Sequence, residues 1–293
     1  MKDLIIVRGG GDIATGTIYK LYKCGFKVLI LEIPNPSAIR RNVAFSEAVY
    51  QGSQTVEDVT CVLSGNIDEA MNLLNTGKLV MLVDPKGDCI EQLKPMAVVD
   101  AILAKENLGT HKGMAGITVA LGPGFEAGRD VDAVIETMRG HSLGRVIYQG
   151  MAIKNTGVPG MIGGFAKERV IHSPAEGILK NVKHITDVVK SGDVIAVIEN
   201  GEEKIPVKTG IDGILRGLIR DGYPGTKGLK LPMWTQVCRN MIIVLPFRIK
   251  RDVLPAVPWR PLCIWEEEQK NDHSRCRSWR KNIIDQTICG GLS

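Results

Sequence analysis

The densest chemical signal lies at the start of the chain, in Val7-Arg8-Gly9-Gly10-Gly11-Asp12-Ile13-Ala14-Thr15-Gly16. Gly9, Gly11 and Ala14 match the spacing GxGxxG/A, directly after an apolar run and at the opening of a helical pattern. Residues without bulk at this spacing allow a tight turn and a close backbone approach, and the free N–H groups of a helix start attract an anion. Gly10 belongs to the same turn, and Asp12 must cap the helix if it is not to repel a phosphate. Glu32 follows Gly11 by 21 residues, where a carboxylate would accept hydrogen bonds from a ribose hydroxyl. A purely structural turn with an exposed Glu32 is the alternative. Gly122 and Gly124, in Ala120-Leu121-Gly122-Pro123-Gly124-Phe125, form a second candidate turn between a strand and a helix. Arg139 and His141, with Arg145, follow a helical stretch, where they would face an anion or complement a helix C-terminus. Arg40-Arg41 could reach a phosphate or stand solvated.

Other chemistries find no support. The five histidines show no metal-ligand spacing, so no metal site is assigned. The seven cysteines contain no CxxC pair, which points to a reducing, cytoplasmic setting. Cys89, in a loop-like stretch, is the thiol expected to be most exposed. No GxSxG, P-loop or HExxH motif occurs, and no residue is singled out as catalytic.

The elements that must position these residues follow from periodicity. Leu4–Val7, Val28–Ile33, Val59–Leu63, Leu79–Val83 and Ile117–Leu121 read as strands. Asp12–Cys24, Ile67–Leu74, Met96–Ala104 and Val131–Met138 read as helices between them. The alternation predicts an α/β fold, a Rossmann-like parallel-sheet domain over residues 1–150, with the strand order open. Residues 151–167, rich in glycine, read as a linker. Beyond it, Ser173-Pro174-Ala175-Glu176-Gly177-Ile178-Leu179 recurs 36 residues later as Thr209-Gly210-Ile211-Asp212-Gly213-Ile214-Leu215, and Gly192 recurs as Gly228. Two such units predict a small β domain with pseudo-twofold symmetry.

Residues 168–231 resemble the barrel-sandwich fold of biotinyl and lipoyl carrier domains, through Pro174-Ala175-Glu176-Gly177, Val189–Ala196 and Ile211-Asp212-Gly213. The carrier lysine has no counterpart. Lys204 lacks the sequence context of a modified lysine and reads as a solvated hairpin residue.

Charge divides the 293 residues. Residues 1–229 hold 26 Lys+Arg and 26 Asp+Glu, whereas residues 230–293 hold 11 and 6, the whole net charge of +5. An electroneutral body argues against a nucleic-acid partner. No apolar run reaches the length of a membrane span, so no membrane partner is expected. The last 64 residues also carry all four tryptophans and four of the seven cysteines. Read one base over, Met233-Trp234-Thr235 forces Val-Asp, and permitted codons extend this to a string similar to Gly192–Glu199. Residues 232–293 are therefore expected to be a frameshift product, an aberrant and disordered tail. The β domain before it would then be incomplete, lacking its last strand.

Taken together, Arg8–Gly16, Ala38–Tyr50, Gly122–Gly128, Glu136–Val146, Asn155–Gly160 and Gly213–Gly222 resemble the selenium-dependent molybdenum hydroxylase system protein family, the YqeB-like proteins. The resemblance runs over residues 1–231. It implies a bacterial, cytoplasmic accessory factor whose partner is a molybdenum hydroxylase of the xanthine dehydrogenase type. The glycine turns would hold a small phosphate-bearing ligand, either a molybdopterin-type cofactor or a dinucleotide. Two alternatives stand beside it. One is an NAD(P)-dependent oxidoreductase, suggested by Gly9–Ala14 and Glu32. The other is a non-enzymatic module that docks a hydroxylase.

Overall fold

A computed structural model describes residues 3–157 and 170–235. The chain opens with β1 (Leu4–Arg8), α1 (Asp12–Lys23) and β2 (Lys27–Glu32). A covering segment with two short 3-10 turns follows, then α2 (Ala48–Gln51), β3 (Ser53–Val56), β4 (Val59–Ser64) and α3 (Ile67–Asn75). Next come β5 (Leu79–Val83), α4 (Cys89–Leu93), β6 (Ala97–Asp100), β7 (Ile117–Leu121), β8 (Glu126–Ala127), β9 (Ala133–Ile135), β10 (Val146–Ile147) and β11 (Gly150–Met151). Nine of these strands form one sheet in the order β10-β9-β7-β6-β1-β2-β5-β4-β3. Its seven inner strands are parallel, and its edge strands β3 and β10 are antiparallel to their neighbours.

The central strands are apolar throughout because both faces of the sheet are covered. On one face Ile5, Val7, Ile30 and Met81 pack with Ala14, Ile18 and Leu21 of α1 and with Phe45. On the other, Leu4, Ile6, Leu29 and Val80 pack with Ala70 and Leu74 of α3. Helix α1 follows its N-cap Gly11 and places Lys20 and Lys23 in its last turn, where cations complement the helix dipole.

This architecture corrects the expected Rossmann-like domain. The sheet is mixed, and its crossovers are poor in helix: α4 has five residues, and residues 101–116 between β6 and β7 contain none. The helices expected at Met96–Ala104 and Val131–Met138 are instead the buried strands β6 and β9. Short apolar runs buried on both sides carry no period that separates strand from helix, and here parallel pairing with neighbours decides.

The second unit comprises β12 (Val170–His172), β13 (Gly177–Asn181), β14 (Val188–Val189), β15 (Val194–Asn200), β16 (Glu203–Lys208), β17 (Gly213–Leu218), β18 (Pro224–Gly225) and β19 (Lys230–Thr235). It forms two antiparallel sheets, ordered β12-β19-β17-β14 and β16-β15-β13-β18. Advancing β12 to β15 by the 36-residue repeat lands on β16 to β19, and the same operation exchanges the two sheets strand for strand. Neither half could bury Leu179, Ile195, Ile198, Val207, Leu215 and Leu231 without the other. These are open four-stranded sheets, each with two edges, so the expected biotinyl/lipoyl-like barrel is corrected as well. Lys204 is paired with Glu199 across the β15–β16 hairpin.

The last strand, expected to be missing, is present. Lys230–Thr235 runs between β12 and β17, and Leu231 is buried in the shared core. Most of the expected linker, 158–169, and the tail from 236 onward lie outside the described residues.

Candidate functional site

The glycine turn joins β1 to α1 at the carboxyl edge of the sheet, where β2 and β6 flank β1. Open parallel-stranded sheets bind ligands at such a point, because the connections on either side diverge and leave a crevice. The three glycines serve different ends. Gly9 has φ +93°, and a Cβ there would stand 2.9 Å from Ala101 O and Ile102 Cα. Gly10 is pressed against Met81 and Ser46. Gly11 has ordinary φ (−64°), and a Cβ on it would meet nothing within 4 Å. It is the N-cap of α1, with no side-chain cap, so the open side of the turn exposes the positive end of a 12-residue helix.

The charged groups around the turn are engaged. Asp12 Oδ1 accepts from the Ile13 N–H at 3.0 Å, and Arg40 Nη1 lies 3.4 Å from Asp12 Oδ2. The negative charge at the helix start is thus offset by Arg40. Ala14 is fully buried in the core against the sheet. Glu32, at the end of β2, accepts from the Gly10 N–H at 2.7 Å and from the Ile33 N–H at 2.9 Å. Burial pushes its carboxyl above the usual range, against the opposing pull of those two N–H groups. Glu32 therefore tethers the turn to β2, whatever else its remaining lone pairs accept.

The raised pKa has a measurable consequence. Glu32 holds its proton more tightly in the folded chain than in the unfolded one. Its contribution to stability is then full below the unfolded value and lost as pH rises through the folded value. As pH rises above the ordinary carboxylate range, the urea midpoint of the wild type should decline relative to that of Glu32→Gln. Parallel curves for the two proteins would refute the assignment.

Beside the turn lies a buried polar cluster that sequence reasoning missed. Arg8 and Asp100 end β1 and β6 as register partners, and each is at most 2% exposed. Their charges approach to 3.9 Å, and Thr110 bridges them, accepting from Arg8 Nη1 at 2.5 Å and donating to Asp100 Oδ2 at 2.6 Å. Arg8 Nη2 donates to the carbonyls of Pro85 and Leu108. Burial raises the Asp100 pKa, opposed by hydrogen bonds from Thr110 and Ile102 and by the Arg8 charge. One guanidinium thus ties together the loops that follow β5 and β6. The only sequence signal was a charged residue closing each of two apolar runs.

The other candidates fall elsewhere. Gly122 and Gly124 end β7, two strands from β1, and no helix follows them. A Cβ on Gly122 would lie 2.7 Å from Thr137 Oγ1, and one on Gly124 would lie 2.7 Å from Glu106 N. They pack against neighbouring chain, and the helix start expected to hold a phosphate there is absent. Arg139 and His141 are exposed in the turn between β9 and β10. With β9 three strands from β1, that turn is roughly 14 Å away along the sheet at the usual strand spacing, and it follows a strand where a helix was expected. Cys89 is also corrected. It is 2% exposed at the start of α4, and burial, with Asp84 beside it, pushes its thiol up to about 12.

A second cleft of about 540 Å³ lies at the ends of β4 and β5, lined by Asn66, Asp84, Asp88 and Gln92 among others. Asp84 is occupied there, accepting from the N–H groups of Gly87, Asp88 and Cys89. Among the described residues no group of three or more His, Cys, Asp or Glu could hold a metal ion. Nor is any helix among them long and apolar enough to cross a membrane.

No family model matches the chain. It is 51% identical over 228 residues to the uncharacterized protein YqeB of Escherichia coli K12, an alignment that covers 78% of this chain and 41% of that protein. The chain corresponds to about two fifths of that relative's length. Among solved structures, the product-bound ectoine utilization protein EutE (DoeB) of Ruegeria pomeroyi aligns at 12% identity, over 80% of this chain and 58% of that one, with a TM-score of 0.23. A succinylglutamate desuccinylase/aspartoacylase of Rhodobacter sphaeroides aligns at 12% identity, over 80% and 85%, with a TM-score of 0.27. Likenesses this distant carry no argument about the site.

Proposed function

We propose that this chain is a cytoplasmic accessory factor for the maturation of selenium-dependent molybdenum hydroxylases, and that it holds a phosphate-bearing ligand at the Gly9–Gly11 turn. The observation that carries the ligand site is Gly11: of the three glycines, it alone faces open space, and it does so at the uncapped start of α1. An anion there meets the helix dipole and the first-turn N–H groups other than that of Ile13, which Asp12 holds with its charge offset by Arg40. The resemblance to the selenium-dependent molybdenum hydroxylase system proteins supplies the client, a hydroxylase of the xanthine dehydrogenase type, and a molybdopterin-type cofactor as the ligand.

A second reading rests on Glu32. Its carboxylate stands at the end of β2 in contact with the turn, and the 21-residue spacing after Gly11 supports NAD(P) as the ligand. Mass spectrometry of the small molecule retained after gentle purification tests both. A pterin supports the accessory role, and a nicotinamide dinucleotide supports the oxidoreductase. Calorimetry that finds no binding of either below millimolar concentration refutes the site.

A further inference from the structure

The second unit reaches the glycine turn through one stretch of chain. The segment Arg40–Glu47, between β2 and α2, lies across the turn. The Ser46 N–H donates to the Gly10 carbonyl at 2.8 Å, and the Phe45 N–H donates to Thr15 Oγ1 at 2.9 Å. The Thr15 hydroxyl lies 3.2 Å from the Gly10 carbonyl oxygen and 2.8 Å from that of Gly11. These contacts fix the direction of both carbonyls.

The same segment is fastened to β17 and the loop after it. The Leu218 N–H donates to the Ile39 carbonyl at 2.8 Å, and Arg41 Nε donates to the Leu218 carbonyl at 2.7 Å. Arg220 Nη1 donates to Glu47 Oε2 at 2.6 Å, with its guanidinium 4.4 Å above the Tyr50 ring. Approach at this seam is close enough that a Cβ on Gly217 would fall 2.7 Å from the Ile39 carbonyl oxygen.

The cover is closed against a cost. Glu47 is 1% exposed, and neither its Oε1 nor the Ser46 hydroxyl has a hydrogen-bond partner among the described residues. A buried carboxylate stays where it is only if its charge is matched. Arg220 and Arg41, the latter 3.8 Å away, supply that match from opposite sides of the seam. We propose that Arg220 is a positioning residue for the anion site. By holding Glu47 it keeps Ser46 and Phe45 on the glycine turn, so that the Gly10 carbonyl stays turned away from the ligand and the start of α1 stays preformed. The second unit thereby sets the ligand affinity of the first. This rests on the reading of the Gly11 side of the turn as an anion site.

The test uses the full chain, with inorganic pyrophosphate as the probe. In Arg220→Ala, Glu47 loses its hydrogen-bonded partner and keeps only the more distant Arg41, which should open the cover, raising the exchange rates of the Phe45 and Ser46 amides and the pyrophosphate Kd by roughly tenfold or more. Adding Glu47→Gln to Arg220→Ala should restore most of both, since no buried charge then remains unmatched. Lys204→Ala, at an exposed pair in the same unit, should change neither. Unchanged amide exchange and affinity in Arg220→Ala, or faster exchange with unchanged affinity, would overturn the proposal. If wild-type protein binds no pyrophosphate, the anion-site reading fails with it. Amide exchange then decides separately whether Arg220 holds the cover.

Discussion

Replacement of Arg8 by alanine is expected to lower the unfolding free energy by about 3–5 kcal/mol, the loss typical of breaking a buried ion pair by removing one partner. The size follows from what is left behind. Asp100 stays 1% exposed with its compensating charge gone, and the carbonyls of Pro85 and Leu108 lose their donor. Thr110 and the Ile102 N–H still hydrogen-bond Asp100 but bring no net charge to it. Two controls separate this account from a simple loss of volume. Arg8→Met keeps most of the packing yet should be nearly as damaging, because the stranded charge causes the loss. Arg8→Met combined with Asp100→Leu should recover stability above either single variant, since matched apolar residues need no partner. Urea midpoints at neutral pH measure Arg8→Ala, both single variants and the double. A double variant less stable than Arg8→Met alone would show that the cluster acts through its hydrogen-bonded shape and not its charge balance.

In the turn that follows Arg8, Gly9 and Gly11 should part company. Gly9→Ala is expected to cost about 2–3 kcal/mol or more. It forces a side chain into a left-handed conformation and into contact with backbone atoms of Ala101 and Ile102, which have no rotamer to yield. Gly11→Val should fold with a loss of no more than about 1 kcal/mol, the range of N-cap substitutions. That variant should nonetheless lose pyrophosphate binding, because the added methyls occupy the open side of the turn where the anion approaches. Circular dichroism melts report the first difference and calorimetry the second. Gly11→Val with undiminished affinity would move the ligand away from this turn.

These contrasts mark how far local sequence could be read. The spacing of Gly9, Gly11 and Ala14 after an apolar run located the turn and the helix it opens, since both depend on residues within one short stretch. The 36-residue repeat likewise foretold two β units sharing a core, because its pattern of glycines and apolar residues survives in both copies. Met96–Ala104 and Val131–Met138 could not be read in the same way. Their apolar runs suit a buried strand or a buried helix equally, and parallel pairing of the first to β1 and β7 and of the second to β7 settles which. Cys89 was misplaced because local composition resembles a loop, while its burial comes from packing against β5 and the sheet beneath.

What the sequence determined by itself was therefore local: the glycine turn, the helix start, Glu32 at the end of β2, and the doubled β unit. Only the tertiary structure decided how those pieces act. Glu32 became a tether of the turn because β2 lies beside β1. Arg8 and Asp100, 92 residues apart by their numbers, became one buried cluster because β6 lies on the other side of β1. Arg220 came to bear on Gly10 through Glu47 because β17 docks on the chain between β2 and β3. Such partnerships depend on strand order and on the seam between two units. Hydrophobic burial selects those arrangements over the whole molecule, and no window of sequence encodes them.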